Sequence, residues 1–214
     1  MMARLWESAP VRIVSGFLLA ALVLAAAGWL VMGPLKLYPG SFDSAIRASV
    51  RQMQSPMWTS LFLTVTKLGS TLFLTVVGCA AGLVFIGLRW FRQLMLFILA
   101  MTGQAVLHHG FKWLIARPRP GAMISYPATE SFSFPSGHAL SSLCLYAMIA
   151  WITTSRLENP ALKAGIWIVT IILIFLIGVS RIYIGIHHAS DVAAGFLAAA
   201  IWTAAVTSAD ERPL

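Results

Sequence analysis

The sequence predicts an all-α integral membrane protein, a single six-transmembrane-helix bundle filling residues 1–214. Three observations carry that expectation. Of 214 residues, 59% are hydrophobic and 10% charged, against ~45–50% and ~25% in ordinary soluble domains. A soluble globule of this size could not cover itself with so few charges, and the mean hydropathy of +0.84 agrees. The apolar residues also gather into runs of about twenty, the length that crosses a bilayer core. The same numbers exclude disorder, collagen-like repeats and coiled coil.

The first span runs from Val11 to Met32, flanked by Arg4 and Arg12. Ala25–Ala27 offers the small residues of a signal-peptide cleavage site. The apolar run continues through Trp29, Leu30, Val31 and Met32, however, so a retained span is expected. A loop follows from Gly33-Pro34 to Ser41-Phe42. Between Asp43 and Gln54, Ile46 and Val50 are interleaved with Arg47 and Arg51 at helical spacing. An interfacial amphipathic helix and a polar loop helix fit that pattern equally.

The stretch from Trp58 to Leu88 is too long for one straight crossing and is interrupted at Lys67-Leu68-Gly69-Ser70. It predicts a short helix, a break at Gly69, and then the second span. Span three is Phe91 to Ile115; Pro118 and Pro120 stop any helix beyond it, and a polar loop runs to Phe134. Spans four, five and six are Ser136–Thr154, Ala164–Ser180 and Ser190–Val206, followed by a polar tail from Ser208 to Leu214. No repeat or second domain appears.

The net charge is +8, from 15 Lys and Arg against 7 Asp and Glu. The basic residues sit mostly in short loops between apolar runs, where they meet lipid headgroups. No basic tract or aromatic platform points to nucleic acid as a partner. Cys79 and Cys144 fall in apolar segments without a CxxC or Cys–His cluster, and read as buried structural thiols. Six spans put both termini on one side, read as the cytoplasm. That side would hold Arg4, Arg12, Arg89, Arg92, Arg156, Lys163 and Arg212; the other would hold Lys36, Arg47, Arg51, Lys67, Lys112, Arg117, Arg119 and Arg181. Only when Lys112, Arg119 and Arg181 are set aside as site residues does the balance lean toward the termini.

Ionisable residues within or beside spans are costly and mark function by default. Spans three and five end on the face where spans four and six begin. That face therefore receives Lys112 and Arg119, then Ser136, Gly137 and His138, then Arg181, His187 and Asp191. Three cations with Asp191 as their one obvious anion suit a polyanion, and phosphate fits guanidinium forks best. The start of span four can add free N–H groups to an oxyanion cradle, and glycine there permits close approach. His187 and Asp191 are spaced i, i+4, so the carboxylate can hold one imidazole nitrogen and leave the other to attack phosphorus. His138 can donate a proton to the departing oxygen.

These residues form three motifs. Lys112 through Arg119-Pro120 reads K-x6-R-P; Pro135-Ser136-Gly137-His138 reads P-S-G-H; Ser180-Arg181 through His187 to Asp191 reads S-R-x5-H-x3-D. Together, in this order, they resemble the type 2 phosphatidic acid phosphatase superfamily, whose fold is shared with vanadium haloperoxidases. The resemblance implies a metal-independent membrane lipid phosphatase with no cofactor. Lys112, Arg119, Arg181, Ser136 and Gly137 would bind phosphate. His187 would form a phosphohistidine, Asp191 would orient it, and His138 would be the general acid. The implied substrate is a lipid phosphomonoester or pyrophosphate of the phosphatidylglycerophosphate, phosphatidic acid or undecaprenyl pyrophosphate class. The implied place is the bacterial inner membrane, with the site on the extracytoplasmic face. A lipid phosphotransferase using the same intermediate and a non-catalytic lipid transporter are the alternatives.

Other polar residues have readings of their own. His188 is a rival nucleophile, but its spacing to Asp191 favours a structural role. Gln104, His108 and Lys112 form an i, i+4, i+8 stripe, which either extends the phosphate site inward or packs by internal hydrogen bonds. Glu130 reads as a solvated loop residue, Arg117 as facing headgroups, and the tryptophans as interface anchors or core.

Overall fold

The structure, a computed structural model, describes residues 8–33, 41–127 and 131–210. Among these residues it is all-helical, with no strand. Arg4, Lys36, Glu130 and Arg212, with most of the loop after Gly33 and the end of the polar tail, lie outside the described residues. The helices are α1 (Ala9–Met32), α2 (Phe42–Gln52), α3 (Pro56–Lys67) and α4 (Thr71–Gly87) in the first half. The second half holds α5 (Phe91–Ile115), α6 (Gly137–Thr154), α7 (Pro160–Ile184) and α8 (Ala189–Ser208).

Local chemistry sets most of the boundaries. Ser41, Ser55, Ser70 and Ser136 each stand at an N-cap with the hydroxyl accepting a first-turn amide, and Asn159 does the same for α7. Pro56 and Pro160 open α3 and α7, where a missing N–H costs nothing. α7 runs past the expected span at both ends, from the Asn159 cap to Gly185. Gly185 has φ +87, the left-handed conformation that closes a helix and that glycine adopts without strain. α5 ends as expected, at Ala116, whose own φ is +46.

α3 and α4 meet at a 46° bend across Leu68-Gly69-Ser70, the break expected there. Among the described residues four helices, α1, α5, α7 and α8, are long and apolar enough to cross a membrane, and the bent pair supplies a fifth. The expected fourth crossing, α6, is not among them, so length and apolarity account for five of the six expected crossings. The reason is its position in the bundle. α6 packs against α5, α7 and α8, and that enclosure lets it carry polar side chains with protein partners. Ser142 and Thr154 bond to the carbonyls of Ala139 and Ala150, and Ser141 bonds to Gln104.

α1 presents Val14, Leu18, Leu22 and Trp29 outward, as a lipid-facing helix does, and packs its other side along α8. Trp202 of α8 lies in the core and donates to the Ala100 carbonyl at 2.9 Å. Cys144 is buried as expected, but Cys79 is exposed, a correction to the reading of both thiols as buried. The exposed thiol lies on the α4 face that lines the large cavity described below. α2 turns Asp43 inward, and Arg47 donates to the Gly185 and Gly121 carbonyls at 3.3 and 2.5 Å. That helix is therefore fastened to the loops at one end of the bundle.

Candidate active site

The expected convergence occurs. Lys112 from the end of α5, Arg119 from the following loop, Gly137 and His138 from the start of α6, Arg181 from the end of α7, and His187 from the turn before α8 line one cavity of about 1450 Å³. Two expected members stand behind its wall. Ser136 is fully buried; its hydroxyl caps α6 at the Ala139 amide, 3.5 Å away, and its own N–H donates to the Asp191 carbonyl at 3.1 Å. Asp191 is likewise fully buried, in the first turn of α8. Gly137 meets the cavity because it is glycine: a Cβ there would lie 2.6 Å from His108 Nε2.

His187 has a defined tautomer. Its Nε2 lies 3.1 Å from Arg119 Nη1, and a guanidinium only donates, so Nε2 presents its lone pair. The ring proton is then on Nδ1, 3.7 Å from Asp191 Oδ2. That separation exceeds hydrogen bonding, and Nδ1 is buried without a partner. Burial pushes the His187 pKa down to about 4, against the opposing pull of Asp191 and with help from Arg119 and Arg181. At neutral pH the ring is uncharged and can act as a nucleophile.

Behind His187 the polar groups are paired. Asp191 accepts from the Ser133 hydroxyl, from the His188 N–H at 2.9 Å and from Arg117 Nη1 at 2.6 Å. Arg117 also donates to Asp43 at 2.9 Å and to Ser190 Oγ at 2.8 Å. Asp43 takes the Ser190 N–H at 2.8 Å and its hydroxyl at 2.5 Å. Arg117 is only 2% exposed, which corrects the expectation that it faces headgroups. The left-handed Ala116, followed by Pro118, turns the chain so that this guanidinium points into the protein. His188 stands at the α8 N-cap, off the large cavity. Burial lowers its pKa, and Arg117 adds to that.

The cavity side is different. Arg119 holds its loop through Ser131 O at 2.6 Å, Ser131 Oγ at 3.0 Å and Ile186 O at 2.8 Å. Burial lowers its pKa, and neighbouring Arg181 adds to that. Arg181 donates to Thr66 Oγ1 at 2.5 Å and to the Tyr126 hydroxyl at 3.3 Å, with its Cζ 5.5 Å from that ring. Yet among the described residues Arg181 Nε and His138 Nε2 are buried with no hydrogen-bond partner. Lys112 Nζ has only His108 Nε2, at 3.4 Å. Gln104 and His108 line the same cavity. Gln104 is also buried and bonded to Ser141 of α6, and His108 is bonded to Lys112. The α5 stripe therefore both extends the site inward and packs by hydrogen bonds. Arg181 Nε and the Lys112 ammonium are donors, and such donors can take an anion. Sequence reasoning missed Asp43, Ser133, Ser190, Thr66, Tyr126 and Ser131, since none lies at a motif spacing.

The fold and site define an apolar helical bundle with cations and histidines gathered at one end. The chain belongs to the PAP2 superfamily, whose family model matches residues 93–212. It is 31% identical over 159 residues to phosphatidylglycerophosphatase B of Bacillus subtilis (strain 168), covering 73% of this chain and 77% of that protein. It is also 33% identical over 97 residues to an undecaprenyl-diphosphatase of Sulfolobus acidocaldarius, 43% of each chain. The lipid phosphatases it matches are hydrolases. Its structure is similar to the crystal structure of a transmembrane PAP2-type phosphatidylglycerolphosphate phosphatase from Bacillus subtilis, with TM-score 0.73 and 28% identity over 91% of this chain and 94% of that one. Aquifex aeolicus LpxE shares the fold, with TM-score 0.59 and 24% identity over 76% of this chain and 93% of that one. With its apolar helices, this makes the chain an integral membrane protein.

Proposed function

We propose that the chain hydrolyses a terminal phosphate from a membrane lipid, a phosphomonoester or a pyrophosphate, through a phosphohistidine on His187. The observation that supports this most directly is the neutral His187 ring, with Nε2 at the wall of a cavity rich in unpaired donors. The same cavity continues between α4 and α5 past Leu74, Leu83, Phe97 and Met101. An apolar chain suits that groove, and phosphate suits the far end. Phosphatidylglycerophosphate and undecaprenyl pyrophosphate, the substrates in the relatives' names, both have this form, as does phosphatidic acid.

In the proposed reaction, Lys112, Arg119, Arg181 and the first-turn N–H groups of α6 hold the phosphate oxygens. The Nε2 lone pair forms a bond to phosphorus as the bond from phosphorus to the lipid oxygen breaks. His138, which gains its proton beside the bound phosphate dianion, gives that oxygen the proton. The His187 Nδ1 proton, facing Asp191, is stabilised as the ring becomes cationic. Water then attacks the phosphohistidine and gives a proton back to His138. Inorganic phosphate leaves and Nε2 regains its lone pair. We read α6 as the sixth crossing, both termini as cytoplasmic, and the site as opening on the extracytoplasmic face of a bacterial inner membrane.

The test is phosphate release from a panel of lipid phosphates by the purified protein, with and without excess chelator. Release should persist with chelator, because a donor set of Lys and Arg repels a divalent cation. The His187→Ala variant should release none and trap no phosphoenzyme. Release by that variant at the native rate would overturn the phosphohistidine reading.

A further inference from the structure

We propose that Gln104 and His108 form a second subsite, one turn and more below the scissile phosphate, that holds the internal phosphate of a lipid carrying two phosphate groups. The inference rests on the lipid phosphatase reading above and narrows its substrate. Gln104, His108 and Lys112 follow one another at i, i+4, i+8 on α5 and all line the cavity. Four helical residues rise about 6 Å, so His108 lies about 6 Å, and Gln104 about 12 Å, farther from the bundle end than Lys112. That direction leads toward the apolar groove between α4 and α5. Whatever occupies the stripe lies between the terminal phosphate and the lipid chains.

The stripe's free groups are donors. Ser141 donates its hydroxyl to Gln104 Oε1 at 2.9 Å, which occupies the amide oxygen and leaves the NH₂ group for the cavity. An ammonium has no lone pair, so in the 3.4 Å contact Lys112 Nζ donates to His108 Nε2. The His108 ring proton is then on Nδ1, a second donor. Among the described residues, no aspartate or glutamate lines the cavity to accept from either. Donors facing a lipid groove are costly unless a ligand accepts from them, and hydrocarbon chains cannot. An internal phosphate brings anionic acceptor oxygens to the chain side of the terminal one, and the one joined through glycerol reaches deeper than the one bonded directly. Beyond its scissile group phosphatidic acid brings only the neutral carbonyl oxygens of its acyl esters, which accept more weakly than an anionic phosphate and are common to the two-phosphate lipids as well.

The experiment compares three lipids with identical acyl chains: phosphatidic acid, diacylglycerol pyrophosphate and phosphatidylglycerophosphate. The quantity read is the ratio of kcat/KM for each two-phosphate lipid to that for phosphatidic acid. Gln104→Leu removes the donor, and Gln104→Glu places a carboxylate at nearly the same shape. Each should lower the ratio about tenfold, the size of one hydrogen bond to a charged group, with the carboxylate variant lower still. A drop confined to one of the two-phosphate lipids identifies that linkage as the native one. A ratio unchanged in both variants would overturn the subsite, as would equal loss on all three lipids in folded protein, with folding checked by the unfolding midpoint. Equilibrium binding of the same lipids to protein carrying His187→Ala separates the two proposals. A binding preference that depends on Gln104, with no turnover by the native enzyme, keeps the subsite and sinks the phosphatase reading.

Discussion

The two sides of His187 are built on opposite rules. Behind it, Asp191, Arg117, Asp43, Ser190 and Ser133 form a buried network in which each charged group meets an opposite charge or a hydrogen-bonding hydroxyl. In front of it, Arg181 Nε and His138 Nε2 are buried with no hydrogen-bond partner among the described residues. Native proteins rarely leave buried polar atoms unpaired, so the front is arranged for a ligand and the back for rigidity. Satisfied polar networks in a low-dielectric interior hold one geometry. In the proposed mechanism this difference divides the work: the back positions His187, and the front binds the lipid phosphate.

The sharpest way to break that comparison is to disturb the back and read the chemistry. Asp191→Asn should lower kcat by about 10⁴-fold, the size of tautomer control in the serine-protease example. An amide can donate to Nδ1 and force the ring proton onto Nε2, where the lone pair is needed. Near-native kcat would mean that the 3.7 Å approach of Asp191 to Nδ1 has no part in turnover.

On the front side, His138→Ala should cost roughly 10²–10⁴-fold on lipid phosphomonoesters, the range of general acid catalysis. An activated aryl phosphate, whose leaving group departs without a proton, should suffer much less. Burst measurement of phosphoenzyme formation reads this step alone. Equal loss with both leaving groups would make His138 a phosphate-binding group instead.

Arg117→Met should damage the back without touching the cavity. It leaves Asp43 and Asp191 buried without their shared cation, and breaking a buried pair in this way costs ~3–5 kcal/mol. Unfolding in detergent by denaturant measures it. A native midpoint would show that Ser133, Ser190 and the backbone amides satisfy both carboxylates alone.

The smallest effect is on pH. With the His187 pKa pushed down to about 4, the free enzyme keeps its nucleophilic lone pair above that value and loses it as pH falls through it. The acid limb of kcat/KM should therefore lie near 4. A limb near the ordinary histidine value of 6.5 would mean that water reaches the ring and that the back is less closed than its burial indicates.

Much of this was legible in the residues themselves. Pro118 and Pro120 mark where α5 must stop, and the break at Gly69-Ser70 marks where α4 begins. The Asn159 cap is not part of that reading, and α7 starts before the expected Ala164. Apolar runs reverse direction at each loop, so counting them brings Lys112, His138, Arg181 and His187 to one end without any side-chain coordinates. Such features depend on neighbours in the chain, and the sequence states them directly. The back of the site was not legible in this way. Arg117 looked like a headgroup contact because its partners, Asp43 and Asp191, are each 74 residues away, a separation no periodicity records. Whether the Gln104 stripe packed or faced a cavity depended on the space between α4, α5 and α6, and whether Cys79 was buried depended on what covers α4. Helix boundaries follow from local backbone chemistry. Which polar groups are paired follows from how whole helices dock, and only the tertiary structure decided that.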